Sequence, residues 1–340
     1  MGLLNISSNK EGNLNQMEDN AQFENIKSKY ILQIIFEYLT KDKILQLIRY
    51  NKATQKRLGI NLKDYREYSR IEIEIIPLKY PSGRFINIKK EDNLYYHIYF
   101  NGGGGEIKRI EFNKDDNVSK INIIIDYKIR SLAYLFSNCG CIRSIHFKNF
   151  KRSNINNMTE MFSFCKSLEK INFSDFNTDN VTNMNNIFHG CSSLKEINLS
   201  NFNTINVNTM RSMFSGCFSL EKINLDHLNT SNVTNMSFMF SECGLTEINL
   251  SNFNTDNVID MRWMFSKCNK LKKINISNFN ANNVTNISGM FYGCNSLKEI
   301  NLPNFNAGNE INMKAMFVGC SEELKEKIRT QYNYIKNEAF

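Results

Sequence analysis

Cysteine recurs through most of this chain at a nearly fixed interval. Successive cysteines of the series are 26 residues apart, except for one interval of 25 at "ECGLTEINL", where one residue is missing. Self-similarity at a period between about 20 and 50 residues is typical of proteins built from stacked repeats. The chain is therefore predicted to fold as an array of similar units, each with one cysteine: Cys139, Cys165, Cys191, Cys217, Cys243, Cys268, Cys294 and Cys320.

Each unit changes its apolar spacing part-way, which predicts two kinds of local structure. In "LKEINL", Ile197 and Leu199 alternate with polar residues, as in a half-buried strand. In "VTNMNNIFHGC", apolar residues recur three or four positions apart, as on one face of a short helix. The spacing of Leu194, Ile197 and Leu199 is the L-x-x-L-x-L core that leucine-rich repeats show at a period of about 20–29 residues. The predicted fold is therefore α/β, a leucine-rich-repeat solenoid with one short strand and one short helix per coil, over residues 128–320.

The segments outside the array are predicted to cover its ends, because a single coil cannot close a core by itself. Residues 69–127 alternate in strand fashion, as in "RIEIEIIPLKY", and are predicted to form a β-rich capping region. Residues 321–340 read as a charged capping helix, and residues 25–68 as a helical segment. Residues 1–24 are expected to form a disordered tail.

The repeated cysteines are predicted to be structural. In stacked units they form a column, whereas structural zinc needs a tetrahedral cluster, and the chain has no two C-x-x-C motifs to supply one. We therefore expect a buried, unpaired column of all eight thiols, with no metal and no cofactor. Many free thiols favour a reducing compartment, so a cytoplasmic location is predicted. The alternative is the cell surface, reached by unconventional export, since neither a signal peptide nor a membrane span is read.

The outward positions of the predicted strands form two columns across the array. The column before the isoleucine alternates in charge, which predicts favourable neighbours in a stacked sheet. The column after it consists of asparagines, which either bond to one another or present a polar surface to a peptide or glycan. His146 occupies the asparagine position of the first strand. The candidate ligand-facing residues are His146, Lys170, Asn172, Glu196, Asn198, Lys222, Asn224, Glu247, Asn249, Lys273, Asn275, Glu299 and Asn301.

Charge and histidine placement disfavour two functional classes. The net charge of +8 is diffuse, with 22 basic and 17 acidic residues before position 131 and 20 and 17 after it. Nucleic-acid affinity comes largely from concentrated Lys and Arg, so no nucleic-acid partner is predicted. The four histidines lie at unrelated places in the pattern and accompany no nucleophile motif, so we predict no catalytic residue and no enzymatic activity.

The repeat unit also resembles a known family. The phrase "NMxxMFxxCxSLxxINLSxFNTxNVT" is similar to the BspA-like leucine-rich repeats, and the likeness covers about residues 127–320. The resemblance implies a solenoid used for protein binding or adhesion. The chain shows neither the signal nor the wall or lipid anchor of the surface members, and this departure bears on adhesion.

The stretch "YILQIIFEYLTKDKILQLIRYNKATQKRL" resembles an F-box, in which short helices dock on an adaptor of a ubiquitin ligase. The signals are Ile35 with Phe36, Tyr38 with Leu39, Ile44 and Leu47. The usual Leu-Pro opening and the closing Trp are missing. The alternative is a small helical cap.

From these features the chain is predicted to be a non-catalytic scaffold that binds a protein or peptide through the array. Two alternatives remain at this point. One is an F-box-like substrate receptor that contacts a ubiquitin-ligase adaptor through residues 25–68, and the other is a surface adhesion protein.

Overall fold

The computed structural model describes residues 45, 51–61, 63–64, 67, 69–173, 176–303, 305 and 311–340. The chain divides into two compact units, Met1–Ser69 and Arg70–Phe340. In the first unit, helix α1 (Lys52–Leu58) begins after Asn51, whose side-chain oxygen accepts a hydrogen bond from the Thr54 amide at 2.9 Å.

The predicted tail, residues 1–24, and most of the predicted helical segment lie outside the described residues. The same is true of every F-box-like signal, so that resemblance remains a prediction: Ile35, Phe36, Tyr38, Leu39, Ile44 and Leu47.

The second unit consists mainly of strands, with few helices. Its strands are β1 (Ile71–Pro77), β2 (Tyr96–Phe100), β3 (Ile121–Ile125), β4 (Ile142–Asn149), β5 (Lys170–Asn172), β6 (Glu196–Asn198), β7 (Lys222–Asn224), β8 (Glu247–Asn249) and β9 (Lys273–Asn275). Its helices are a 3₁₀ helix (Lys90–Tyr95), helix α2 (Glu322–Gln331) and a terminal 3₁₀ helix (Asn337–Ala339).

The strands within the described residues form three sheets. Five strands pair in the order β2-β3-β1-β4-β5, where β4 and β5 are parallel and the other pairs antiparallel. Strands β6 and β7 form a parallel pair, as do β8 and β9. The β-rich region before the repeats therefore extends the sheet of the first repeat edge to edge, because β1 pairs with the first repeat strand, β4.

The opposite side of the units is joined by a parallel ladder that runs through the array. Every second amide of one unit donates to a carbonyl of the next, as Phe188 does to Met213 at 3.0 Å and Gly190 to Ser215 at 2.7 Å. The parallel bridges of this turn ladder link, in order, Ser131, Asn157, Asn183, Thr209, Asn235, Asp260, Asn286 and Asn312.

This turn ladder replaces the short helix predicted for each coil. Within a unit the remaining amides bond three residues back, as His189 does to Asn186 at 3.0 Å, so the segment consists of successive turns. Two positions per unit have left-handed backbone, for example Asn186 with φ 56° and Gly190 with φ 71°. Turns closed over three residues place apolar side chains three and four positions apart, as a helix does, and the sequence spacing could not separate them.

A ladder of phenylalanine rings lies in the core behind the turns. The rings of successive units are 5.5–5.8 Å apart and within 14° of parallel. The side chains around them, such as Met184 and Leu194, are fully buried. The repeat core is thus continuous through Phe136, Phe162, Phe188, Phe214, Phe240, Phe265, Phe291 and Phe317.

Asparagine amides tie neighbouring units together. Asn206 Nδ2 donates to the carbonyl of Asp179 in the preceding unit at 2.7 Å, and Asn232 Nδ2 donates to Ile205 at 2.6 Å. The equivalent amides of Asn180, Asn257 and Asn283 make the same bond. These asparagines therefore satisfy main-chain carbonyls between units.

Both ends of the turn ladder are closed by segments from outside the repeats. At the first unit, the Asn87 amide donates to the Leu135 carbonyl at 2.7 Å, and its side chain donates to Ser137 at 2.7 Å. At the last unit, the Phe317 amide donates to Ala339 at 2.7 Å. The Phe340 ring stacks 5.8 Å from Phe317 and extends the ring ladder by one step.

Within the described part of the chain, no helix combines the length and the apolar character needed to cross a membrane.

Candidate functional site

The candidate residues of the repeat strands lie on one exposed face. In β5, β6, β7 and β8 the first and third residues are exposed and the isoleucine between them points to the interior. In β9 Lys273 is exposed and Asn275 half-buried. Glu299 and Asn301 are exposed in a segment that is not a strand. We call this surface the strand face.

Opposite charges are neighbours across the paired strands of this face. Glu196 is in register with Lys222, and Glu247 with Lys273. Within the described ranges, no salt bridge joins two members of the charged column, although the same ranges contain pairs elsewhere, such as Lys267 with Glu242 at 3.1 Å. The column therefore presents alternating charges to solvent.

The asparagine column is held mainly by local bonds. Asn198 Oδ1 accepts from the Ser200 amide at 2.9 Å, and Asn224 Oδ1 accepts from Asp226 at 2.9 Å, which fixes the turn after each strand. One amide pair crosses between units, from Asn275 Nδ2 to Asn249 Oδ1 at 3.0 Å. These asparagines therefore fix the turn after their strand. This is a third role, beside the amide ladder and the polar surface considered from the sequence.

His146 connects the strand face to the sheet before the repeats. It is half-buried in β4 and is in register with Glu74 on one side and Asn172 on the other. Glu74 accepts hydrogen bonds from Lys148 at 2.6 Å and pairs with Lys120 at 3.0 Å, and these bonds lower the pKa of its carboxyl. The sequence analysis did not predict that β1 extends the repeat sheet, because the local pattern of β1 does not indicate which strand it pairs with.

Two adjoining grooves lie over the strand face. One has a volume of about 650 Å³ and covers β5, β6 and β7, and the other has a volume of about 520 Å³ and covers β7, β8 and β9. Both are lined by Ile223 and Asn224. Of the isoleucines in these strands, Ile223 is half-buried and lines both grooves, whereas the others are buried.

The cysteine column lies in the interior, and all eight of its thiols are free and buried. Most of them also donate to a main-chain carbonyl of the preceding unit, which sequence reasoning did not anticipate. Cys191 Sγ, for example, is 3.1 Å from the Phe162 carbonyl oxygen. The same bond is made by Cys165, Cys217, Cys268, Cys294 and Cys320.

Burial raises the pKa of these thiols, because a thiolate is poorly solvated in the core. The pKa rises to about 12 for Cys217 and Cys268 and to about 11 for Cys320. The reactive form is the thiolate, so the column is chemically quiet at neutral pH.

The histidines do not converge on one site. His97 lies 2.9 Å from Glu106 in the first sheet, while His189 lies on the turn side, where burial lowers its pKa. His227 is exposed near β7. Among the residues for which the structure gives a position, no three His, Cys, Asp or Glu side chains are grouped as metal ligands.

A family model described as "Mycoplasma protein of unknown function, DUF285" matches residues 130–223 and 217–330, which is more than half of the chain. The chain belongs to this family. The DUF285 match covers the turn ladder and the strand face and leaves residues 25–68 outside. No curated protein matches the chain.

One solved structure similar to this DUF285 protein is a leucine-rich repeat protein from Eubacterium ventriosum, with 20% sequence identity and a TM-score of 0.40. The alignment covers 58% of this chain and 48% of that one, so the chain spans about half the length of the matched structure.

Proposed function

We propose that this DUF285 protein is a non-catalytic scaffold that binds a protein or peptide on its strand face. The repeats would form a leucine-rich-repeat solenoid in which the turn side carries the stack and the strand face carries the ligand. The observation that supports this most directly is the exposed column of alternating charges along two adjoining grooves. Its charges have no ion-pair partner within the column in the described residues.

The composition of the strand face favours a protein ligand. Cations and anions alternate singly, so no concentrated positive field forms of the kind that binds phosphate backbones. Rim charges that match a partner contribute specificity and association rate. Ile223, which is half-buried and lines both grooves, adds an apolar contact, which a peptide uses and a simple ion does not.

The test is a selection of random peptides displayed on phage against the immobilised full-length chain. The variant Lys222→Glu/Glu247→Lys reorders the column without changing net charge. The matched control, Glu242→Lys/Lys267→Glu, exchanges the members of an ion pair on the turn side. We expect enriched peptides to bind the wild type and the control and to lose binding to the strand-face variant. Peptides that bind all three proteins equally would overturn the proposed site.

We also propose a cytoplasmic location, on the basis of the unpaired thiols. The F-box-like receptor and the surface adhesion protein stay predictions from the sequence.

A further inference from the structure

We propose that the strand face binds a second copy of this chain, related to the first by a two-fold axis that runs parallel to the strands between β7 and β8. This inference rests on the proposed function, since it names the protein partner of the same face. It follows from the order of the charges along the strand face, the order of paired and unpaired strands, and the place where the two grooves meet.

The charged column begins with a cation and ends with an anion. Its signs alternate and all six of its side chains are exposed: Lys170, Glu196, Lys222, Glu247, Lys273 and Glu299. Reversing the order of the column therefore inverts the sign at every position. A second copy that lies face to face with its column reversed presents an anion to each cation and a cation to each anion, whatever the distance between neighbouring units.

One kind of symmetric pair produces this reversal. A two-fold axis parallel to the strands turns the second strand face towards the first and reverses the order of the units. A two-fold axis along the array keeps the order of the units, so the inversion of sign is lost. The facing pairs, each formed twice, are Lys170 with Glu299, Glu196 with Lys273 and Lys222 with Glu247.

The strand pairing has the same symmetry as the charges. β6 pairs with β7 and β8 pairs with β9, whereas within the described residues β5 does not pair with β6, nor β7 with β8. Glu299 lies in a segment that is not a strand, so the last junction is unpaired like the first. The order of paired and unpaired junctions is therefore the same in both directions. Any difference in spacing between the two kinds of junction falls at matching places in the two copies.

The grooves place an apolar contact beside the axis. Both grooves are lined by Ile223 and Asn224 of β7, next to the junction through which the axis passes, and Ile223 is half-buried. A two-fold interface joins the same patch of both copies, so residues beside the axis lie near their own equivalents. In the asparagine column the exposed Asn224 faces the exposed Asn249 of the second copy, and each amide can both donate and accept.

The alternation also fixes the register of the two copies. The chain carries a net charge of +8, but the column itself contains three cations and three anions, so it adds no net repulsion. Sliding the second copy by one unit places like charges opposite each other along the whole overlap. Such like-charge contacts disfavour wrong arrangements, while complementary charges favour the matched one.

The direct test is sedimentation equilibrium of the full-length chain at concentrations up to about 0.5 mM, which covers weak association. We expect a reversible dimer whose dissociation constant rises at least about tenfold between about 0.05 M and about 0.5 M salt, because exposed ion pairs are screened. A chain that stays monomeric throughout would overturn the inference.

Charge variants test the facing pairs. Lys222→Glu and Glu247→Lys each place like charges opposite each other at two points of the dimer, so each alone should weaken association at least about tenfold. An equal mixture of the two single variants restores opposite charges at both points and should associate like the wild type. The double variant Lys222→Glu/Glu247→Lys restores both pairs within one chain and should also form a dimer.

The control variant is Lys314→Glu, which makes the same charge change at an exposed position on the turn side and should leave association unchanged. Circular dichroism confirms that each variant is folded. Opposite effects of the two single variants would show that net charge governs association. A mixture that does not recover would show that Lys222 and Glu247 do not face each other. Either result would overturn the inference.

The phage selection separates this inference from the proposed function. If selected peptides depend on the strand face while the chain stays monomeric, the site stands and the second copy is the wrong partner. If neither peptide binding nor self-association depends on the strand face, the proposed function itself fails. The double variant keeps the two outcomes apart, since it should lose the selected peptides and retain the dimer.

Discussion

The two sides of the repeat array are held together differently. The turn ladder is unbroken from Ser131 to Asn312, whereas among the described residues the strands fall into three separate sheets, with no pairing between β5 and β6 or between β7 and β8. The turn side also contains the ring ladder and the buried thiols. This difference indicates that the turn side holds the stack together more continuously than the strand side does. It is consistent with the proposal that the strand face carries the ligand.

The repeat unit with the 25-residue interval, which we call the short unit, shows the same difference between its turn side and its strand side. Its missing residue lies beside Cys243, where the sheet is interrupted between β7 and β8. On the turn side the Phe240 and Phe265 rings remain parallel and 5.7 Å apart. The turn ladder therefore passes through the short unit unchanged.

The largest expected effect is a loss of folding stability at alkaline pH, caused by the buried thiols of the turn side. Unfolded thiols ionise near pH 8.5, whereas burial holds the pKa of Cys217 and Cys268 at about 12. The folded state then binds more protons, so stability is fully present below about pH 8.5 and falls by up to about 1.4 kcal/mol per thiol per pH unit above it.

The measurement is the urea midpoint under reducing conditions across this pH range. Cys217→Ala removes one buried thiol and is expected to make the decline less steep. A midpoint that stays constant above pH 8.5 would contradict the picture of a buried, neutral column.

The next largest effect on stability is expected when one phenylalanine ring is removed from the core. Phe214 is fully buried and stacks 5.6 Å from Phe188 and 5.5 Å from Phe240. We expect Phe214→Ala to lower the free energy of unfolding by about 3–5 kcal/mol, through lost burial and a cavity.

Phe218→Ala is the matched control, because Phe218 is 53% exposed four residues away. Its effect should stay within about 0.5 kcal/mol. Equal losses from the two variants, measured by urea unfolding, would mean that the ring ladder is not a special source of stability.

The sequence predicted the strand side better than the turn side. Alternation around Ile197 marks the strands and places Glu196 and Asn198 outward, because a strand has one simple period. The turn segment was predicted as a helix, because Met184, Ile187 and Phe188 have a spacing that turns and helices share. The turns are distinguished from a helix by left-handed residues such as Asn186 and by inter-unit bonds to Arg211 and Met213, and those partners are remote in sequence.

The contacts that close the two ends of the array could not be predicted from the local sequence either. Asn87 lies far before the carbonyls that it covers, and Phe340 extends a ring series from which it is separated by helix α2. Neither residue matches the repeat phrase. The strand-face columns, by contrast, follow directly from the register of identical units.

A smaller effect is expected at the deletion. A Cβ on Gly244 would lie 2.1 Å from the Phe218 carbonyl oxygen, so the backbone must shift to admit it. Gly244→Ala should cost about 1–3 kcal/mol. Gly140→Ala, where a Cβ would meet no atom within 4 Å, should change stability little. If thermal unfolding finds the two variants alike, the short unit has more room than its geometry indicates.

The smallest expected effect lies on the strand face itself. Lys222 is exposed and has no ion-pair partner in the described residues of its column, so Lys222→Gln should change the free energy of unfolding by less than about 0.5 kcal/mol. The same change removes the central cation of the proposed ligand surface and should weaken peptide binding. On one preparation, urea unfolding measures the first effect, and fluorescence anisotropy with a labelled peptide from the phage selection measures the second. A large loss of stability would mean that the alternating column holds the units together, and the division between a stabilising turn side and a binding strand face would then be lost.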